Sequence, residues 1–130
     1  MTALSGRWLV AGRLKGDILK LDAALSFWGG FDATTGTIID RAHPQCGLSL
    51  AGKVVAMPGS RGSSGTPGVL GESLRRGSGP RGMLVTKADI NLVAGVLTAA
   101  ALYETTCPIL LVNGETFADL TDGSFIDLGA

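Results

Sequence analysis

Lys53-Val54-Val55-Ala56-Met57-Pro58-Gly59-Ser60-Arg61-Gly62-Ser63-Ser64-Gly65-Thr66-Pro67-Gly68-Val69-Leu70 is the stretch whose reading decides the fold. The apolar run Val54 to Met57 reads as a short buried strand. Gly59, Gly62 and Gly65 let the backbone turn sharply and let another molecule approach closely. Thr66-Pro67 reads as a helix start, with Thr66 as N-cap and Pro67 at the first helical position. Arg75 and Arg76 fall in the expected last turn, and Gly77 is the stop. The order is strand, glycine-rich loop, helix.

Three chemical readings of the loop compete. It carries one fixed cation, Arg61, and three hydroxyls, Ser60, Ser63 and Ser64, beside a helix N-terminus whose free N–H groups favour anions. The first reading is anion binding. The second is a serine acting as nucleophile or base, its alkoxide stabilised by the helix N-terminus and the guanidinium. The third is a tight surface turn of small residues, which the local pattern alone slightly favours. No Gly-Lys-Ser/Thr follows, so this is not a Walker loop, and it is not a clean dinucleotide fingerprint.

Upstream, Arg7 to Leu21 alternates loosely around Gly12 and Gly16, as two short strands about a turn would. Ser26 to Asp32 holds two aromatics, two glycines and an acid. It reads either as a buried aromatic plug or as a loop in which Ser26 or Asp32 reaches substrate. Residues 32–36 form a turn by composition, and Ile38-Ile39 reads as a strand. His43, the one histidine, is more often structural than catalytic in such a setting, with a proton-shuttle role as the alternative.

Downstream, Met83-Leu84-Val85 reads as a buried strand, and Asp89 as the N-cap of a helix from Ile90 to about Tyr103. Ile90, Val93, Ala94, Leu97 and Ala101 share one helical face, which predicts the core side. Ile109 to Val112 reads as a buried strand, Asn113-Gly114 as a turn, Glu115 to Leu120 as a helical turn and Phe125 to Leu128 as a last, edge strand. The centre resembles crossover units of an α/β layer, with the early strands closing against it as a barrel-like sheet.

The bounds are those of one domain over residues 1–130, with 45% hydrophobic and 17% charged residues. Eleven basic and eleven acidic side chains cancel, which gives no electrostatic case for nucleic acid or an anionic membrane. A mean hydropathy of +0.34 points to apolar surface covered by a partner, or to a dense core of Ala and Val. No secretory signal and no membrane span are read, so a cytoplasmic location is expected. Cys46 and Cys107 read as buried thiols, with a bridge between them as the lesser alternative. With one histidine they complete no zinc set, and two cysteines hold no iron–sulfur cluster.

Arg61-Gly62-Ser63-Ser64, preceded by Lys53 to Pro58, resembles the aconitase X family's swivel domain. Leu25-Ser26-Phe27-Trp28-Gly29-Gly30-Phe31-Asp32, Thr35-Gly36-Thr37-Ile38-Ile39-Asp40, His43-Pro44 and Gly47 to Gly52 resemble its second signature. The likeness runs from about Gly12 to Val112. It implies an α/β swivelling β/β/α domain, a barrel-like sheet with flanking helices. It implies the small subunit of a hydro-lyase, active only with a large catalytic subunit that carries an iron–sulfur cluster, with no cofactor on this chain. The cluster's iron would assist loss of hydroxide from a small hydroxy acid. Ser63 aligns with the family's proton acceptor, and Arg61, Gly62 and Ser64 would hold the substrate carboxylate or stabilise the alkoxide. Thr66-Pro67 stands where many members have Gly-Ser. With the Ala/Gly/Arg-rich composition, this favours cis-3-hydroxy-L-proline over mevalonate 5-phosphate as substrate. A non-catalytic module gripping an anion or a partner loop is the reading from another class.

Overall fold

Four parallel strands and two crossover helices form the frame of the molecule, seen in a computed structural model that describes residues 4–61 and 64–130. The chain runs β1 (Arg7–Val10), β2 (Arg13–Lys20), α1 (Phe27–Gly30), β3 (Phe31–Asp32), β4 (Thr37–Ile38), β5 (Val54–Met57), α2 (Thr66–Arg76), β6 (Gly82–Val85), α3 (Ile90–Tyr103), β7 (Ile109–Leu111), α4 (Gly114–Asp119) and β8 (Phe125–Gly129). Six strands form one curled half-barrel sheet in the order β1-β7-β6-β5-β2-β8. β2, β5, β6 and β7 are parallel, and β1 and β8 are antiparallel strands at its two edges. β3 and β4 make a separate small hairpin. The α/β class and the barrel-like sheet with flanking helices are as the sequence predicts.

Every residue of β5 and β6 is buried, as expected of central parallel strands covered on both faces. Alternation sends Val55, Met57, Met83, Val85 and Ile109 towards α2 and α3. It sends Val54, Ala56, Leu84 and Leu110 to the other face, where Leu14, Leu120 and Ile126 cover them. Cys107 is buried, but Cys46 is exposed, which corrects its reading as a buried thiol; both are free.

Two helix readings need correction. Thr66 is not the N-cap of α2: Gly65 already has α-helical angles (φ −80°, ψ −14°), so the helix begins one residue earlier and Thr66 lies inside it. The Thr66 hydroxyl is buried and lacks a hydrogen-bond partner among the described residues. The far end is as expected, with Gly77 at φ 78° donating its N–H to Leu74 O.

α3 has the expected bounds and cap but is turned about its axis. Leu92, Gly95, Val96 and Ala99 face the core, while Ile90, Ala94, Leu97 and Ala101 are exposed. The 14 residues carry no charge, so periodicity alone does not fix which apolar side is inward. The phase follows from packing: Gly95 lies against Pro67 of α2, where an added Cβ would come within 3.1 Å of the Pro67 backbone.

Candidate functional site

Because β2, β5 and β6 are adjacent and parallel, the segments that follow them, 21–26, 58–61 and 86–89, emerge at one edge of the sheet. This carboxyl edge is where open α/β sheets bind ligands. Hydrogen bonds confirm the meeting. Leu25 and Ser60 form an isolated parallel bridge, and Arg61 N–H donates to Leu25 O at 3.0 Å. Thr86 Oγ1 donates to Pro58 O at 3.2 Å.

The central tie is Asp89. Its Oδ2 accepts from the Ser60 N–H at 2.7 Å and from the Ser60 hydroxyl at 2.6 Å. Its Oδ1 accepts from the N–H groups of Asn91 and Leu92 at 3.1 and 3.3 Å, capping α3. One carboxylate therefore fixes both the start of the glycine-rich loop and the helix beside it. Gly59, at φ 149°, makes this approach possible: it adopts a backbone conformation other residues avoid, 3.4 Å from Asp89 Oδ2 at the position a Cβ would take. At the loop's other end the Trp28 indole rests on Gly65, where a Cβ would come within 2.8 Å of the ring.

The predicted site residues fare differently. Ser60, one of the three loop hydroxyls, is committed to Asp89. Arg61 and Ser64 are exposed, and the Arg61 guanidinium has no hydrogen bond or ion pair among the described residues. Gly62 and Ser63 lie outside the described residues. Ser26 donates to Trp28 O at 2.8 Å, and Asp32 Oδ1 accepts from Thr34 N–H at 2.9 Å, closing the turn before β4.

His43 is structural. Its Nδ1 accepts from Gln45 N–H at 3.0 Å, so Nε2 carries the proton and donates to Ala23 O at 3.1 Å. Buried and held at both ring nitrogens, it pins the 21–26 segment that in turn holds Arg61.

Three contributors escape a reading of the linear sequence. Asp89 is legible there only as a helix cap. Trp28 is legible only as an aromatic, not as the wall beside Gly65. Lys87, exposed and without an ion pair among the described residues, has its Cβ 3.7 Å from the Cβ position at Gly59. It places a second cation beside the loop. The signal for all three is topological, since strands β5 and β6 pair in parallel and bring their following loops together.

An iron–sulfur cluster does not fit the cysteines of this chain. Cys46 is exposed and Cys107 buried, and burial pushes the Cys107 thiol up to about 12, far from the thiolate a metal needs. Among the described residues no three His, Cys, Asp or Glu side chains group as a metal site would require.

The frame is thus a mixed α/β domain that presents a glycine-rich loop braced at Ser60, with exposed Arg61 and Lys87 at it, at the carboxyl edge of its sheet. The family profile of the aconitase X swivel domain matches residues 3–130, and the chain belongs to that family. It is 40% identical over 114 residues to the cis-3-hydroxy-L-proline dehydratase of Pseudomonas aeruginosa, a match that covers 88% of this chain and 20% of that protein. The chain therefore spans about a fifth of the length of that relative. It is 33% identical over 127 residues to the phosphomevalonate dehydratase small subunit of Thermococcus onnurineus, covering 98% of this chain and 92% of the relative. A crystal structure of Thermococcus kodakaraensis aconitase X in its holo form superposes with a TM-score of 0.83 at 26% identity, over 95% of this chain and 88% of that one. Among the described residues no helix is long and apolar enough to cross a membrane.

Proposed function

We propose that this chain is the small subunit of a two-subunit aconitase X-type dehydratase that acts on cis-3-hydroxy-L-proline, with Ser63 as proton acceptor. The observation that carries the substrate is the 40% identity, sustained over 88% of this chain, to the Pseudomonas aeruginosa enzyme of that name. The 33% identity to the Thermococcus onnurineus small subunit, over 92% of that relative, supports the two-chain layout.

In this reading the base removes the proton from the carbon that bears the carboxylate, and the hydroxyl leaves the neighbouring carbon as water. A serine alkoxide needs nearby positive potential. The α2 N-terminus, with no acidic residue in its first turn, is one source of it. Arg61 and Lys87 add two cations, one for the substrate carboxylate and one to lower the cost of the alkoxide.

Lys87 also favours a second reading, the small subunit of a phosphomevalonate dehydratase. A phosphomonoester calls for more than one basic group, and Lys87 joins Arg61 at the loop. The test is an anaerobic assay of the chain co-expressed with its large subunit on both substrates. Turnover of cis-3-hydroxy-L-proline is expected. Ser63→Ala should then lower kcat by about 10²- to 10⁴-fold while complex formation and KM persist. Turnover of mevalonate 5-phosphate alone would reassign the substrate. A variant that loses binding but keeps kcat would make Ser63 a gripping residue and not a base.

A further inference from the structure

We propose that the outward stripe of α3, formed by Ile90, Ala94, Leu97 and Ala101, is the surface on which the large polypeptide of the enzyme docks. This rests on the two-subunit reading above and adds the place of contact.

A helix without charge on its outer side is unusual at a solvated surface. α3 carries no charged residue from Ile90 to Tyr103, and only Asn91, Thr98 and the Tyr103 hydroxyl are polar, yet it lies on the outside of its domain. Ile90 is 76% and Leu97 53% exposed, while Leu92, Val96 and Ala99 fill the core on the opposite side. The neighbouring helix shows what a solvated face looks like in the same molecule. α2 turns Glu72, Arg75 and Arg76 outward and links them at 2.7 and 2.9 Å. The contrast marks the α3 stripe as a surface meant to be covered.

Two features extend the stripe. At its start, Ile90 follows Asp89, the residue that holds Ser60 of the glycine-rich loop. Whatever covers Ile90 therefore also reaches the edge of the candidate site. Further along, Leu97 forms one wall of a groove of about 350 Å³, shared with Val10, Ala100, Thr105 and Pro108. The Thr105 hydroxyl is buried there without a partner among the described residues. An inserted side chain or turn with one polar group would fill the groove and satisfy that hydroxyl.

The length of chain outside this domain in a relative points to the occupant. In the Pseudomonas aeruginosa protein the matched region is 20% of one polypeptide, so the other four-fifths are tethered to a domain of this kind and stand within reach of its uncovered face. A second copy of the present chain is the weaker candidate. A second copy laid on the same stripe would take the surface beside the loop that the large polypeptide must reach.

The test measures binding, not turnover. The chain and its large subunit are mixed, and their affinity is read by light scattering and titration for the wild type, Ile90→Glu, Leu97→Lys and, as a control on the solvated helix, Glu72→Gln. Exposed substitutions of this kind leave folding largely unchanged, which a thermal melt of each variant checks. We expect Ile90→Glu and Leu97→Lys each to weaken the complex by about 100-fold, the size of a buried interface anchor, and Glu72→Gln to bind as wild type. Hydrogen exchange of the wild-type chain, which needs no variant, should slow along 90–103 on complex formation. Stripe variants that bind as wild type, with no slowing along 90–103, overturn the placement and leave the function intact. A wild-type chain that forms no complex overturns the placement and the two-subunit reading together. A homodimer that the same substitutions dissolve, with large-subunit binding unaffected, assigns the stripe to a second copy instead.

Discussion

Asp89 joins two backbone segments with one side chain, and the chemistry of its two oxygens separates their roles. Asn at this position keeps a carbonyl oxygen to cap α3 but offers an amide where Ser60 needs an acceptor for two hydrogen bonds. Asp89→Asn should therefore cost about 1–3 kcal/mol in denaturant unfolding, mostly from the loop. In the assembled enzyme it should depress kcat more than it changes affinity between the chains. Asp89→Ala should lose about a further 1 kcal/mol with the cap. Equal losses for the two variants would show that the cap alone matters. The two thiols give a second residue-scale outcome. Exposed Cys46 should react with an aromatic disulfide reagent in the native chain, while buried Cys107, held near a pKa of about 12, should react only on unfolding. One reactive thiol in buffer and two in denaturant is the expected count. Cys46 was not readable as exposed, because cysteine type predicts burial well and outweighs the polar cues of Arg41 and Gln45 beside it. The loop's exposed Arg61 and Ser64, by contrast, were legible from glycine spacing, whereas Lys87 was not, since it lies 26 residues from Arg61 in the chain and reaches the loop only through strand pairing.

Local signals place the elements well where they are strong. Asp89 before an apolar run gives α3 its start, Gly77 ends α2, and the continuous apolar runs of β5 and β6 mark buried parallel strands. Phase is where sequence reasoning fails. In α2, charges at Glu72, Arg75 and Arg76 declare the wet side; in α3 no charge does, and the face chosen from spacing is the one that points outward. The start of α2 differs by one residue because Thr-Pro matches a cap and first-turn pair, while the cap is Gly65 and Thr66 is the first helical residue. The α2 charges also predict a pH response. The hydrogen bonds from Arg75 and then Arg76 hold the Glu72 carboxyl down, from 4.5 to about 2. A depressed acid stabilises the fold above its unfolded pKa and loses that contribution as pH falls through its folded value. Thermal melts of wild type and Glu72→Gln should therefore differ above pH 4.5 and converge towards pH 2. The gap should be small and should shrink with salt, because these groups are exposed. A gap that widened on acidification would contradict the assignment.

At the scale of the whole molecule, two properties stand in tension. The sheet is covered on both faces and the loop is braced by Asp89 and His43, so the fold supplies its own core and a shaped edge. Yet Ile90, Leu97, Leu102 and Trp28 remain exposed, on a chain whose acidic and basic groups cancel. Apolar surface of this extent on a neutral chain favours association driven by desolvation and not by long-range charge. The affinity for the large polypeptide should then be nearly indifferent to ionic strength, changing less than about threefold between roughly 0.05 and 0.5 M salt, where exposed charges become screened. Binding should be marked by a negative heat-capacity change. The same linkage acts on stability. With the large polypeptide at about 100 times its Kd, the folded chain gains about 2.7 kcal/mol, which for a domain of this size raises Tm by roughly 10 °C. Leu97→Lys should remove most of that gain while leaving the Tm of the isolated chain where it was. Steep salt dependence with an unchanged heat capacity would point to a contact made through Arg61, Lys87 and their neighbours, and would move the main docking surface from the helix stripe to the loop.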